Sequence, residues 1–317
     1  NEARAQQMGI DQDWYRAAER EHGEWIRGDG PTVYEVRLRA GCSHDRARTL
    51  CEIARSMAVR ADAPPHVLIV GDAHYEPGQP LDRARWLGRF IADNLGPDDH
   101  VVVIGDWHGL TSLCSHSSAR EREGHRLAAD IEAGNAAIRA MYAEIPHDCR
   151  PAVHVTIGNH EDRLSRLASE RPEYDGIAGI DLLEWGTYGA NVLPFLEPLR
   201  IPGVSGWRFQ HCLPNGGRGM VSGKYMADAL LRRVNHAESV VVGHSHVLKL
   251  ANVGSVAGGR RWGVSVGCYF DHAETYAGED SNASWWAGLV LLEYAEDGDA
   301  GIRCIPYAQI RAMYGAA

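Results

Sequence analysis

Residues 239–246 read SVVVGHSH, a short apolar run that stops at a glycine and two histidines one residue apart. An extended chain turns alternate residues to the same side, so His244 and His246 face one place if strand geometry persists past Val242. One pair says little, because histidine is both the commonest metal ligand and an ordinary surface residue. The same ending recurs upstream. HVLIVGDAH (66–74), VVVIGDWH (101–108) and AVHVTIGNHED (152–162) each run apolar residues into a glycine and then into side chains able to bind a metal. Helical patterns separate them: Leu81 to Leu95, with Ala84, Leu87, Ile91 and Leu95 on one face, and Arg122 to Tyr142. That alternation is α/β order. In an open α/β sheet, ligands collect outside the carboxyl ends of the strands, so the four endings are expected to converge.

The surrounding composition narrows the class. The chain has 317 residues, 44% hydrophobic and 23% charged, the profile of a globular protein with a sizeable core. No apolar run is long enough to span a bilayer, and a membrane role is not expected. A net charge of −10 argues against a general nucleic-acid coat, while leaving room for a local patch. The seven cysteines include no C-x-x-C pair and, with the polar opening NEARAQQMGI, point to a reducing, cytoplasmic setting. Residues 1–64 hold a strand-like TVYEVRLRA and an amphipathic pattern from Asp45 to Val59, read as an N-terminal appendage to a domain at 65–317. After Lys249 the pattern turns Gly-rich and strand-like, in VSVGCYF and AGLVLLEYA, which suits a second sheet closing the domain.

Individual residues admit plainer readings. Asp72 and Asp106 would also serve as helix caps, but capping leaves His74 and the G-N-H-E ending unexplained. Asn159 alone reads as a turn residue. His211, in FQHCLPNGG, competes with His236 and His272 for a place in the site. His22, His44, His100, His125 and His147 read as solvated surface, and Cys212 as a small buried thiol.

The ordered set D-x-H, G-D, G-N-H-E, an isolated histidine and G-H-x-H, spread from His66 to His246, resembles the calcineurin-like metallophosphoesterases. The stretch LAADIEAGNAAI (127–138) and the Gly-rich end also resemble phosphoesterases encoded by bacteriophages, which would place the chain in the cytoplasm of an infected host. The family resemblance implies a two-sheet α/β/β/α sandwich carrying two divalent cations. Asp72, His74 and His246 would hold one, Asn159, His211 and His244 the other, with Asp106 bridging. Mixed carboxylate, amide and imidazole donors suit Mn²⁺ first, with Fe or Zn²⁺ as alternatives. Such a pair, about 3.5–4 Å apart, activates water for attack on a phosphoester. His160 matches the family's catalytic histidine, a general acid or transition-state stabiliser.

One position departs from the pattern: the second aspartate that many members carry three residues after the bridging one is Gly109 here. Glu161 or Asp162 is expected to orient the His160 imidazole and raise its pKa. The longer G-D-x-V-D-R-G motif of the protein Ser/Thr phosphatases is missing. A phosphodiesterase acting on nucleic acid or nucleotides is the leading expectation, with a phosphomonoesterase and a non-catalytic metal-stabilised interaction module as alternatives. Arg163 and Arg218 are candidate phosphate contacts, and the aromatic-rich segment from Cys268 to Gly288 a candidate wall for a base.

Overall fold

The computed structural model describes residues 64–315 apart from 116–117, 121, 148–149, 217–218, 224, 235–237, 255–258 and 273–277. The expected appendage, up to residue 63, and Arg218 lie outside the described residues. Pro65–Ala317 form one compact unit.

The four glycine-ended runs are all strands, the three upstream ones in one sheet and SVVVGHSH in a second. β1 (Val67–Val70), β2 (His100–Val103), β3 (Ala152–Thr156) and β4 (Asn191–Leu193) lie side by side in parallel. Along β1, Leu68 and Val70 face one layer while Val67 and Ile69 face the opposite one, and all four are fully buried. Strands buried on both faces read as continuous apolar runs, which is why their sequences do not alternate. A second sheet has the order β5 (Trp207–Phe209), β6 (Ser239–Val242), β8 (Arg260–Val266), β7 (Leu248–Gly254).

Between the sheets, Val67, Ile69, Val102 and Ile104 pack on Trp207, Phe209, Val241, Val264 and Val266. Burying such side chains contributes about 1.5–3 kcal/mol apiece. On the outer face of the first sheet lie α1 (Asp82–Asn94) and α2 (Leu127–Ala143). On the outer face of the second lies α4 (Met226–Arg233); α3 (Asp162–Glu170) follows β3, and α5 (Gly278–Ser284) precedes the strand that returns to the first sheet. The layers are therefore α/β/β/α. None of the described helices is long and apolar enough to cross a membrane.

Two expectations change. AGLVLLEYA forms β9 (Gly288–Glu296) and joins the first sheet, pairing antiparallel with β1, while β10 (Asp299–Pro306) adds beyond it and leads into α6 (Tyr307–Tyr314). An apolar run announces a buried strand but not which sheet receives it. The helix expected from Arg122 begins at Leu127, because residues 122–126 form turns in which Arg122 and His125 share a backbone hydrogen bond.

Candidate metal centre

The sheets bring the strand ends together. Asp72 and His74 follow β1, Asp106 follows β2, Asn159 and His160 follow β3, His211 follows β5, and His244 and His246 follow β6. Backbone hydrogen bonds tie these loops to one another. Ala73 N and His74 N both donate to Asp106 O at 2.9 Å, and His244 N donates to Asp72 Oδ1 at 3.0 Å. His160 N donates to Asp106 Oδ1 at 2.8 Å.

Within this cradle the donor atoms fall into groups whose members lie within 4.8 Å of one another: Asp72, His74 and His246; His74, Asp106 and His160; Asp106, His211 and His244. Asp106 Oδ2 is 3.3 Å from His211 Nε2 and 3.7 Å from His74 Nε2, and Asp72 Oδ2 is 2.9 Å from His246 Nε2. Asn159 Oδ1 lies 2.9 Å from His211 Nε2. The Nδ1–H of His211 donates to Ile104 O at 2.8 Å, so its Nε2 is the atom presented to the site. His211 thus takes the place for which His272, which is exposed, had competed; His236 lies outside the described residues.

Three features fit this set to divalent cations. Asp72 and Asp106 are buried carboxylates and, among the described residues, no lysine or arginine ion-pairs with either. Buried charge of that kind requires a compensating cation or a proton on a neighbour. Burial would push both carboxyls up, but His246 holds Asp72 below the usual range, and His211 and His160 hold Asp106 well below it. Burial would lower His211, yet Asp106 outweighs it and raises the imidazole to about 9. Second, there is no room for larger residues: a Cβ on Gly158 would stand 2.1 Å from Asp106 Oδ1, and one on Gly243 2.5 Å from Asp72 Oδ1. Third, His74, Asp106, His244 and His246 have φ of 44°, 50°, 66° and 57°. Left-handed backbone at a non-glycine residue costs about 1–3 kcal/mol and persists where a site demands it. The adjacent Cys212 belongs to none of these donor groups, and burial pushes its thiol up to about 12.

The sequence model of the calcineurin-like phosphoesterases matches residues 65–248, more than half of the chain. This protein belongs to that family. A comparison with curated proteins gives no match. As a calcineurin-like phosphoesterase it is a metal-dependent phosphoric ester hydrolase, and its clustered Asp and His side chains suit a dinuclear divalent metal site.

The phosphoesterase treats the residues around His160 differently from what their order in the chain implies. Glu161 makes no hydrogen bond to the imidazole and acts on it only through its charge, which opposes the downward shift of His160. Its buried carboxylate accepts hydrogen bonds from Asp106 N, His108 N and Gly158 N at 3.0, 2.9 and 3.0 Å, clamping two ligand-bearing loops together. Asp162 pairs instead with Arg166 at 3.4 Å on α3. His108 is fully buried with Nε2 3.2 Å from Asn135 Oδ1. Arg163, expected as a phosphate contact, is buried at the start of α3 with Nη1 donating to the Gly109 and Leu110 carbonyls. The loop-clamping role of Glu161 was missed in the sequence, although its place directly after G-N-H was the available signal. Beside His246, Trp285 stands edge-to-face with ring centroids 4.4 Å apart, and Phe270 packs on His74, His246 and His272.

Proposed function

We propose that this phosphoesterase hydrolyses phosphodiesters of nucleic acids or nucleotides. In this reading Asp72, His74 and His246 would hold one cation and Asn159, His211 and His244 the other, with Asp106 shared between them and Mn²⁺ the preferred metal. The observation that carries it is the membership of Asp106 in two donor groups with His160 Nε2 3.9 Å from its Oδ2. Bound divalent cations supply a Lewis acid for the phosphoryl oxygens and lower the pKa of the attacking water. The chain's own residues do the rest. Asp106 and Asp72 supply the negative charge that keeps the cations in register. His160 donates the Nε2 proton to the departing oxygen as its bond to phosphorus breaks.

Burial holds the His160 imidazole down at about 3, only partly opposed by Asp106. An anionic phosphoester beside Nε2 favours the protonated form, so proton donation is coupled to substrate binding. The preference for a diester is supported by Arg163. With its Nη1 occupied by two carbonyls, one of the two arginines expected to contact phosphate is committed elsewhere, which leaves less positive charge for the dianion of a monoester. Nucleotides are supported by the aromatic rings of Trp285 and His272, which pack on the buried Phe270 beside the metal ligands and are of the flat kind on which bases stack. The likeness of residues 127–138 to phage-encoded phosphoesterases supports a setting in the cytoplasm of an infected bacterium. Residues 65–317 form the catalytic domain in this proposal.

Hydrolysis with Mn²⁺ of bis-nitrophenyl phosphate, nitrophenyl phosphate, a cyclic nucleotide, and single- and double-stranded DNA tests it. A diester or nucleic acid should be turned over fastest. A monoester preference of tenfold or more would replace the reading with that of a phosphomonoesterase.

A further inference from the structure

The imidazole of His160 has a partner that the family's usual carboxylate would otherwise provide. Its Nδ1 lies 2.6 Å from the carbonyl oxygen of Gly109, the residue standing where many members have aspartate. A carbonyl only accepts, so at that distance Nδ1 carries the hydrogen. The same oxygen receives Arg163 Nη1 at 3.0 Å, and Nη1 also reaches Leu110 O at 3.1 Å. The segment between is held from both sides. Gly109 N donates to Tyr75 O at 3.0 Å, His108 N donates to Glu161, and Leu110 is fully buried with φ 47°.

We propose that Arg163 is a positioning residue for His160: by anchoring the Gly109 carbonyl it fixes the imidazole with Nδ1–H on that oxygen and Nε2 facing the substrate. The inference rests on the catalytic reading of His160 given above. Its physical content is specific. Whether the ring is neutral or protonated, its Nδ1 hydrogen stays on Gly109, because a backbone carbonyl does not take up a proton as a carboxylate can. Nε2 is thereby the ring atom left facing the site, 3.9 Å from Asp106 Oδ2. Ring orientation is fixed further by stacking on His74, centroids 4.4 Å apart. A buried guanidinium that, among the described residues, pairs with no carboxylate is costly unless its donors find acceptors, and Nη1 finds two on the turn that holds His160.

Two measurements on the full-length protein test this. Long-range ¹H–¹⁵N correlation spectra of the Zn²⁺-loaded wild type should give His160 as the Nδ1–H tautomer; an Nε2–H tautomer would overturn the proposal without any variant. Arg163→Met should leave metal content at the wild-type level, mix the two tautomers, and lower kcat on an alkyl phosphodiester by about ten- to a hundredfold with KM little changed. A nitrophenyl diester, whose leaving group hardly needs a proton, should lose less than about threefold. Arg163→Lys should recover part of both the spectrum and the rate. Equal losses on both substrates together with lost metal would reduce Arg163 to a support of the ligand loops. If His160→Ala proves fully active, the catalytic reading fails, while the tautomer spectra still decide whether Arg163 positions the ring.

Discussion

The parallel strands β1, β2 and β3 carry histidines at both ends, and the two ends do opposite things. At the carboxyl end the rings surround Asp72 and Asp106, and the backbone of four candidate ligands is left-handed. At the amino end, His66, His100 and His154 lie near Asp99 and Asn191. There Asp99 turns to the backbone, accepting from His66 N at 2.9 Å and Gly96 N at 2.8 Å, and none of these residues has positive φ. His154 Nε2 and His100 Nδ1 lie 3.2 Å apart, an arrangement that needs at least one neutral ring. Burial lowers both, His154 to about 4. Histidine number is thus no signal of a metal site. Carboxylates grouped with several donor side chains, on a backbone bent to present them, separate the two ends.

The comparison breaks hardest at Asp106. Asp106→Asn removes the charge shared by both donor groups, so both cations should be lost and turnover should fall at least about 10⁴-fold, as when a catalytic unit loses an essential member. The mirror change at the amino end, Asp99→Asn, should leave metal content and rate within about twofold, since it disturbs only a loop cap. Elemental analysis and a diester assay on the pair decide the matter. Retained metal in Asp106→Asn would remove the bridge from the mechanism.

A smaller loss should follow His160→Asn, which keeps every proposed ligand. Metal content should stay near normal while hydrolysis of an ester with a poor leaving group falls by about 10²- to 10⁴-fold. An activated nitrophenyl ester should suffer less. Loss of metal along with activity would show that His160 is itself a ligand.

Next in size is Gly158→Ala. The added Cβ would press on Asp106 Oδ1 at 2.1 Å and on Asp106 N at 2.4 Å, so the carboxylate must move. Metal affinity should fall by about ten- to a hundredfold, the usual range when a ligand's support is disturbed. Calorimetric titration with Mn²⁺ reads this directly, and unchanged affinity would mean that the loop relaxes without moving the ligand.

The carboxyl end was legible because an extended chain, a glycine and a ligand leave a local trace, repeated at four strand ends. α1 was legible too: its expected span, Leu81 to Leu95, encloses the observed Asp82–Asn94. His211 was harder. It stands alone in sequence, and only the parallel pairing of β5 with β6 brings it beside His244. Arg163 and Gly109 were not legible at all. A guanidinium at the start of a helix looks the same in sequence whether it faces water or folds back on a carbonyl, and a backbone oxygen has no residue type. Nor does an apolar run such as β9 say which sheet will take it. The amino-end pair, by contrast, was read as one surface histidine, His100, because its partner His154 sits inside an apolar strand where nothing marks a contact across to β2.

The smallest effect belongs to that pair. Because the folded protein depresses His154 to about 4 from the ordinary 6.5, the unfolded chain binds a proton between these values that the native state refuses. Stability linked to this group is therefore intact above pH 6.5 and is lost progressively as pH falls toward 4; the downward shift of His100 acts in the same direction. Solvent screening at the half-buried His100 keeps the expected loss to about 1 kcal/mol. His154→Gln keeps a polar group in the strand but removes the titration. The stability gap between wild type and this variant, from urea unfolding of the metal-loaded proteins at pH 7 and pH 4.5, should shift by that amount against the wild type on acidification. Activity at pH 7 should be unchanged, since the ring lies at the far end of β3 from His160. A gap that stays constant with pH would mean that His154 takes up its proton without cost in the folded state. The two ends would then differ in geometry but not in how they tolerate charge.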